Sequence, residues 1–242
     1  MMKRIGILAH SAEGAALCFL EAVHEGERRM GAHFHPDIVL DIEAMGASMG
    51  DWERCDSAPI AERFRRAAGR LAAAGAEFFI CPDNTAHIAF ESAIRPMALP
   101  GLHIAEVVAD EAARRGFGKI GITGTAWTME GPVYPGAFTR RNLAFASPPA
   151  ADRADVQRII FDELVRGKVR DASRARLAAV VEGLKQQGCD AVVLGCTELP
   201  MLLDDATSPL PVLDSTRLLA RAAVGVALGS RPLPGWRGGP PG

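Results

Sequence analysis

Ile80-Cys81-Pro82-Asp83-Asn84-Thr85-Ala86-His87 is answered later in the chain by Leu194-Gly195-Cys196-Thr197-Glu198. The two stretches share a lead-in: Leu71 to Gly75 and then Phe78-Phe79-Ile80 in the first, Leu184 to Gly188 and then Ala191-Val192-Val193-Leu194 in the second. Asp83 and Cys196 each stand eight residues beyond the glycine of their copy. Two groups able to transfer a proton therefore occupy equivalent positions in two copies of one unit.

Each copy reads as a helix followed by a buried strand. In the first, Ser57 and Pro59 give a start signal, Ile60, Phe64, Ala67, Ala68 and Leu71 recur at helical spacing, and Gly75 supplies a stop. The apolar run Phe78 to Ile80 is short and does not alternate, as expected of a strand covered on both faces in a parallel sheet. Pro82 in one copy and Gly195 in the other are expected to end the ladder. Asp83 and Cys196 then lie at the carboxyl ends of strands, where open α/β sheets keep their binding crevices.

Further outward the repeat persists. Lys119-Ile120-Gly121-Ile122-Thr123-Gly124-Thr125 follows the logic of Arg4-Ile5-Gly6-Ile7-Leu8-Ala9-His10, and Leu102 to Ala113 pairs more weakly with Val212 to Ala223. Gly6 and Gly121 are 115 residues apart and Asp83 and Cys196 are 113 apart, a near-constant shift that chance apolar runs rarely keep. The pattern predicts a tandem duplication: an α/β protein of two similar parallel-sheet domains. The first is expected over 1–98 with 208–229 and the second over 99–207, with Ser230 to Gly242, rich in Pro and Gly, a disordered tail.

Other elements are expected as follows. A helix from Ala15 to Arg29 would bury Leu17, Leu20 and Val23, and Phe34 to Leu40 would form a second strand. Asp41 to Ala58 reads as a long polar loop whose Met45, Met49 and Trp52 either wall a site or tuck against their own domain. His87 to Ile94 reads as a helix ended by Pro96 and Pro100, Leu102 to Ile104 as a short strand, Ala105 to Arg115 as an amphipathic helix, and Ser215 to Leu228 as the last helix.

Composition narrows the function. A chain of 242 residues, 48% hydrophobic and with net charge -2, can bury a full core and shows no basic footprint for nucleic acid. No apolar stretch approaches the roughly 20 residues that span a bilayer, and the first residues are too short for a signal-peptide core, so a cytoplasmic protein without a membrane partner is expected. Five cysteines without regular spacing point to reduced thiols. Cys18 and Cys189 read as core residues and Cys55 as exposed. There is no CxxC, HExxH or Gly-rich phosphate loop, and neither metal nor cofactor is expected.

Duplicated halves facing each other across a cleft would bring equivalent strand ends to opposite sides of one bound molecule. That suits moving a proton between the faces of a carbon, with a base on one side and an acid on the other. Backbone N–H groups and the polar side chains of Asn84, Thr85, Thr125, Thr128 and Thr197 suit holding a substrate carboxylate and enolate-like charge. The same residues suit helix caps.

Cys81 to His87, Gly124-Thr125-Ala126-Trp127-Thr128-Met129 and Gly195-Cys196-Thr197-Glu198-Leu199-Pro200 together resemble the three signature regions of the aspartate/glutamate racemase family, over nearly the whole chain. Ile159 to Leu164 and Asp214-Ser215-Thr216 also fit. The resemblance implies a cofactor-independent racemase of a small carboxylate, two pseudo-symmetric α/β domains with the site in the cleft, commonly a homodimer, and a cysteine from each half as acid and base. Cys196 matches the second cysteine. At the first position this chain has Asp83, and Cys81, two residues early and roughly 6 to 7 Å away along a strand, reads as a core thiol.

The exchange matters because an aspartate, with a reference pKa near 3.9 against about 8.5 for cysteine, is ionised before substrate arrives. An asymmetric enzyme is expected, with Asp83 the base and Cys196 the acid. The same family accommodates arylmalonate decarboxylase-like lyases, in which Cys196 alone would protonate an enolate, and members that bind without catalysis. Glu198 is expected to orient a neighbour or pair with a cation, His87 to be structural, and Ser11, with His10, to reach the substrate from the end of the first strand.

Overall fold

The structure is a computed structural model that describes residues 2–91 and 97–235. The chain divides into two compact units, residues 1–104 with 216–242, and residues 105–215. The first unit begins with β1 (Ile5–Ala9) and α1 (Ala12–Met30), then β2 (Ile38–Ile42), α2 (Met49–Glu53), α3 (Ser57–Ala73), β3 (Phe78–Ile80), α4 (Ala86–Glu91) and β4 (Gly101–Leu102). The second runs through α5 (Ile104–Arg114), β5 (Lys119–Gly124), α6 (Ala126–Glu130), α7 (Val133–Thr139), β6 (Ala144–Ala146), α8 (Ala150–Arg158), α9 (Asp171–Gln186), β7 (Ala191–Gly195) and β8 (Val212–Asp214). The last helix, α10 (Ser215–Ala227), returns to the first unit.

Each unit holds one four-stranded, all-parallel sheet, in the order β2-β1-β3-β4 and β6-β5-β7-β8. The identical order is the duplication made visible: in both, the strand carrying the repeated motif is third in line, beside the strand that opens the unit. Compact units end at 104 and resume at 216, against the expected limits near 98 and 208. The pairing explains the shift, because Gly101 and Leu102 pair with β3 while Val212 to Asp214 pair with β7.

The helix that leads into β3 buries Ile60, Phe64, Ala67, Ala68 and Leu71, the face that its periodicity predicts. It closes at Gly75, whose φ of +87° belongs to the left-handed region that a glycine enters without strain. Helix α1 departs from expectation. Its buried face is Gly14, Ala15, Cys18, Glu21, Ala22, Glu25 and Gly26, while Leu20 is half exposed and Leu17 and Val23 are only partly covered. Small residues let the helix lie close to its neighbours. At Gly26 a Cβ would come within 2.5 Å of His35 Cβ. The two glutamates on that face are clamped by guanidinium groups, Glu21 by Arg28 and Arg221 at 2.7 Å each and Glu25 by Arg29 at 2.5 Å.

Three other expectations change. The second strand begins at Ile38, so Phe34 lies outside it and is 63% exposed. The stretch from 41 to 58 finishes β2 and then forms a short 3₁₀ turn (Met45–Ala47) and α2, so it is not a plain loop, and Trp52 is tucked inside with 5% exposure. The expected strand at Leu102 to Ile104 is shortened to Gly101–Leu102, because α5 already starts at Ile104. Ile94 and Pro96, expected to finish α4, and the last seven residues of the expected tail lie outside the described residues.

Candidate functional site

The two motifs emerge at the carboxyl ends of β3 and β7. The first ladder ends at Ile80 as expected ahead of Pro82, and Cys81 follows fully buried. In the second, Gly195 is itself the last rung, paired with Gly124, rather than the residue that stops the ladder. Its missing side chain is needed there, because a Cβ would fall 2.7 Å from the Thr123 carbonyl oxygen and 3.1 Å from Thr128 Cγ2.

Asp83 is held on both carboxylate oxygens. Oδ2 lies 2.8 Å from His10 Nδ1, and Oδ1 accepts the Ala86 amide at 3.3 Å. Burial pushes the carboxyl up, but the hydrogen bond and charge of His10, with the Ala86 amide, outweigh it and hold Asp83 below the ordinary carboxylate range. The ring of His10, which directly follows β1, is set by Trp52 at 6.2 Å and Phe64 at 5.6 Å between centroids, and its Nε2 lies 2.6 Å from Ser48 Oγ. A cavity beside it is lined by Leu8, Glu43, Ala44, Ser48, Arg63 and Ala67, among others.

The residues after Asp83 turn into α4. Asn84 and Thr85 are buried, and their carbonyls accept the amides of His87 and Ile88. His87 is fully buried, its Nδ1–H donating to the Asp83 carbonyl at 2.9 Å and its Nε2 accepting the Ile104 amide at 3.2 Å. Burial, then the neighbouring His103, holds this imidazole well below the ordinary range, so it is neutral and structural. Burial, with the Asp83 charge beside it, pushes the Cys81 thiol well up. Cys81 is a protonated core thiol; Cys18 and Cys189 are also buried, and Cys55 is exposed.

At the end of β7, Cys196 is partly exposed and its thiol donates to Glu198 Oε2 at 2.9 Å. Thr197 Oγ1 donates to the same oxygen at 2.8 Å, and Glu198 is 4% exposed. The glutamate is thus the local anchor of the motif. Thr125 caps α6, accepting the Thr128 amide at 3.2 Å, and its hydroxyl lies 3.1 Å from that of Thr128; both are buried. Ser11 caps α1 in the same way, accepting the Gly14 amide at 3.2 Å.

Within the first unit the structure therefore brings His10 and Ser48 to Asp83, and within the second it gathers Cys196, Thr197 and Glu198. The His10–Asp83 contact is the feature that the sequence did not announce. The two residues lie 73 apart, and only the parallel pairing of Ile7 with Ile80 puts the ends of β1 and β3 side by side. Among the described residues no group of three or more His, Cys, Asp or Glu is placed to hold a metal ion, and no helix is long and apolar enough to cross a membrane.

Both units thus present an ionisable side chain with a bonded partner just beyond the carboxyl end of the third strand of the sheet. The chain belongs to the Asp/Glu/Hydantoin racemase family, whose model matches residues 11–223. It is 26% identical over 159 residues to the broad specificity amino-acid racemase RacX of Bacillus subtilis, covering 66% of this chain and 68% of that one. Among solved structures, a Yersinia pestis protein proposed as an Asp/Glu racemase superposes with a TM-score of 0.84 at 31% identity, covering 94% of this chain and all of the other. An aspartate racemase homologue from Pyrococcus horikoshii gives 0.77 at 26% identity, covering 94% and 100%. A mutant arylmalonate decarboxylase shares the fold alone, with a TM-score of 0.55 at 15% identity over 97% of each chain.

Proposed function

We propose that the protein is a cofactor-independent racemase or epimerase of a small amino acid or related carboxylate, which moves the α-proton between Asp83 and Cys196. The observation that carries this reading is the matched placement of the two groups, each at the carboxyl end of the third strand of its sheet and each with a bonded partner. An Asp83 held below the ordinary carboxylate range is an ionised base at neutral pH. A Cys196 whose thiol donates to Glu198 carries the proton that an acid must give. Membership of a racemase family and the printed activity of RacX support the reaction type.

In one direction the α-carbon gives its proton to Asp83 while the bonding pair stays on the substrate as an enolate, and Cys196 returns a proton to the other face. Asn84, Thr85, Thr125, Thr128 and Thr197, with the backbone N–H groups near them, hold the substrate carboxylate and the charge that grows on it. A pyridoxal cofactor needs a lysine for its Schiff base. None of the four lysines, Lys3, Lys119, Lys168 and Lys185, falls in the motifs that follow β3 and β7, which supports chemistry without one. A second reading, a decarboxylase that uses Cys196 alone, draws on the single thiol at the paired positions.

The test is α-proton exchange in deuterium oxide, followed by NMR on each enantiomer of aspartate and glutamate, with Cys196→Ala and Asp83→Ala alongside. Exchange should vanish with Cys196→Ala and fail from one enantiomer with Asp83→Ala. Wild-type protein that exchanges none of them, yet releases carbon dioxide from a substituted malonate, would replace this reading with the second.

A further inference from the structure

Both ring nitrogens of His10 are engaged, and the engagement fixes its protons. Nδ1 lies 2.8 Å from Asp83 Oδ2 and Nε2 lies 2.6 Å from Ser48 Oγ. Ser48 donates its hydroxyl to the Met45 carbonyl at 3.0 Å. A hydroxyl has one proton to give. With that proton on Met45, Ser48 meets His10 as an acceptor, so Nε2 carries a hydrogen. An ionised Asp83 oxygen at 2.8 Å requires a hydrogen on Nδ1 as well, because two lone pairs do not approach so closely. The ring that satisfies both contacts is an imidazolium.

The charges around it agree. Glu43 and Arg63, which line the cavity beside His10, lie 3.8 Å apart and offset each other. Trp52 and Phe64 bring no charge. His87 donates to the Asp83 backbone carbonyl and is neutral. Among these described residues, Asp83 is the charge left facing the ring.

Ser48, His10 and Asp83 connect in the atom order of a hydrolase triad, Oγ to Nε2 and Nδ1 to Oδ2. The exposure runs the other way. Ser48 is 3% exposed with its hydroxyl committed to Met45, whereas the Asp83 side chain is 18% exposed. The open end is the carboxylate, so the chain of bonds serves Asp83.

The geometry points to His10 as a positioning residue: a Ser48-anchored imidazolium that occupies Oδ2 of Asp83 and leaves Oδ1, whose bond from the Ala86 amide is the longer at 3.3 Å and uses one of its two lone pairs, as the oxygen that exchanges the α-proton. This rests on the acid/base role proposed for Asp83. When the C–H bond breaks, its proton forms the O–H bond at Oδ1, its electron pair remains on the substrate, and His10 keeps both of its own protons. The reverse step follows the same path. The cation also cancels the charge of Asp83, so a substrate carboxylate approaches a neutral pair rather than an anion, which favours acidic substrates.

Nitrogen-15 NMR of the full chain with labelled histidine tests the proton count without reference to activity. Both His10 ring nitrogens should be protonated in the wild type at neutral pH, and one only in Asp83→Asn; a neutral His10 ring in the wild type overturns the inference. Kinetics supply the second arm. His10→Asn, with His10→Gln as the second variant, should slow exchange on the Asp83 side about 10- to 100-fold, below the full worth of an acid/base group. The acid limb of the pH profile should move up as Asp83 loses its cation. Exchange-competent wild type with an unmoved acid limb in both variants sinks the role of His10. Wild type that exchanges no substrate sinks the racemase reading instead, and the NMR result still decides the charge of the ring.

Discussion

The ends of β3 and β7 occupy the same place in the same sheet order, yet they are wired differently. At β3 a carboxylate meets an imidazole that arrives from a neighbouring strand, Asp83 to His10. At β7 a thiol meets a carboxylate two residues further along its own turn, Cys196 to Glu198. A carboxylate thus stands at the motif position itself in one copy and two residues beyond it in the other, where it accepts from Cys196 and Thr197. The first arrangement depends on the register of β1 against β3, the second on local backbone geometry alone. The shared sheet order thus keeps the place at which the two groups are presented and leaves free how each is held.

The largest effect should separate the thiols of the two copies. Cys196→Ala is expected to lower α-proton exchange by about 10²- to 10⁴-fold, the usual worth of a positioned acid or base. Cys81→Ala should change it by less than about threefold, because that thiol is fully buried and faces a backbone carbonyl at 4.0 Å. Comparable losses in both variants, measured by NMR in deuterium oxide, would mean that Cys81 and not Asp83 is the partner in the first copy.

The residues just before Asp83 and Cys196 offer the next contrast, Pro82 against Gly195. Gly195→Ala must push a methyl against the Thr123 carbonyl and Thr128, and should cost about 1–3 kcal/mol of stability by urea unfolding. Pro82→Ala lies just past the end of its ladder and should cost less than Gly195→Ala. An equal cost at both would show that the two turns are packed alike.

Much of this was legible in the chain. Helix α3, with its five apolar residues at helical spacing and its closing glycine, and the two motifs at strand ends read correctly because local periodicity and turn chemistry determine them. Helix α1 did not, since its buried face is made of Gly, Ala and Cys together with two glutamates whose arginine partners include Arg221, two hundred residues away. A hydropathy pattern ranks Leu20 above Glu21 and cannot see the clamp. The same limit hid the contact of His10 with Asp83. A lone histidine at the end of β1 gains meaning only through the register that brings it to Asp83, and Ser48 only through a short helical turn inside what reads as a polar loop.

The smallest effect tests whether the two units also differ in acid sensitivity. All six histidines lie at or before His103, so the unit over 105–215 has none. His87 is buried neutral, held well below its ordinary value by burial and by His103. In the unfolded chain it would titrate near 6.5, so below that pH the unfolded state binds a proton that the folded unit refuses. Stability contributed by the neutral ring is present above about pH 6.5 and declines as pH falls toward the depressed folded value, at no more than about 1.4 kcal/mol per pH unit. Asp83, whose carboxyl is also depressed, adds its own loss only further down, as pH falls through its folded value below 3.8. Hydrogen exchange of the β1 and β3 amides should therefore quicken between pH 6.5 and 5.5 relative to β5 and β7, after correction for the intrinsic pH dependence of exchange, and His87→Gln should flatten that difference. If both sheets loosen together, the two units unfold as one cooperative body, and the separate wiring of their strand ends has no counterpart in their stability.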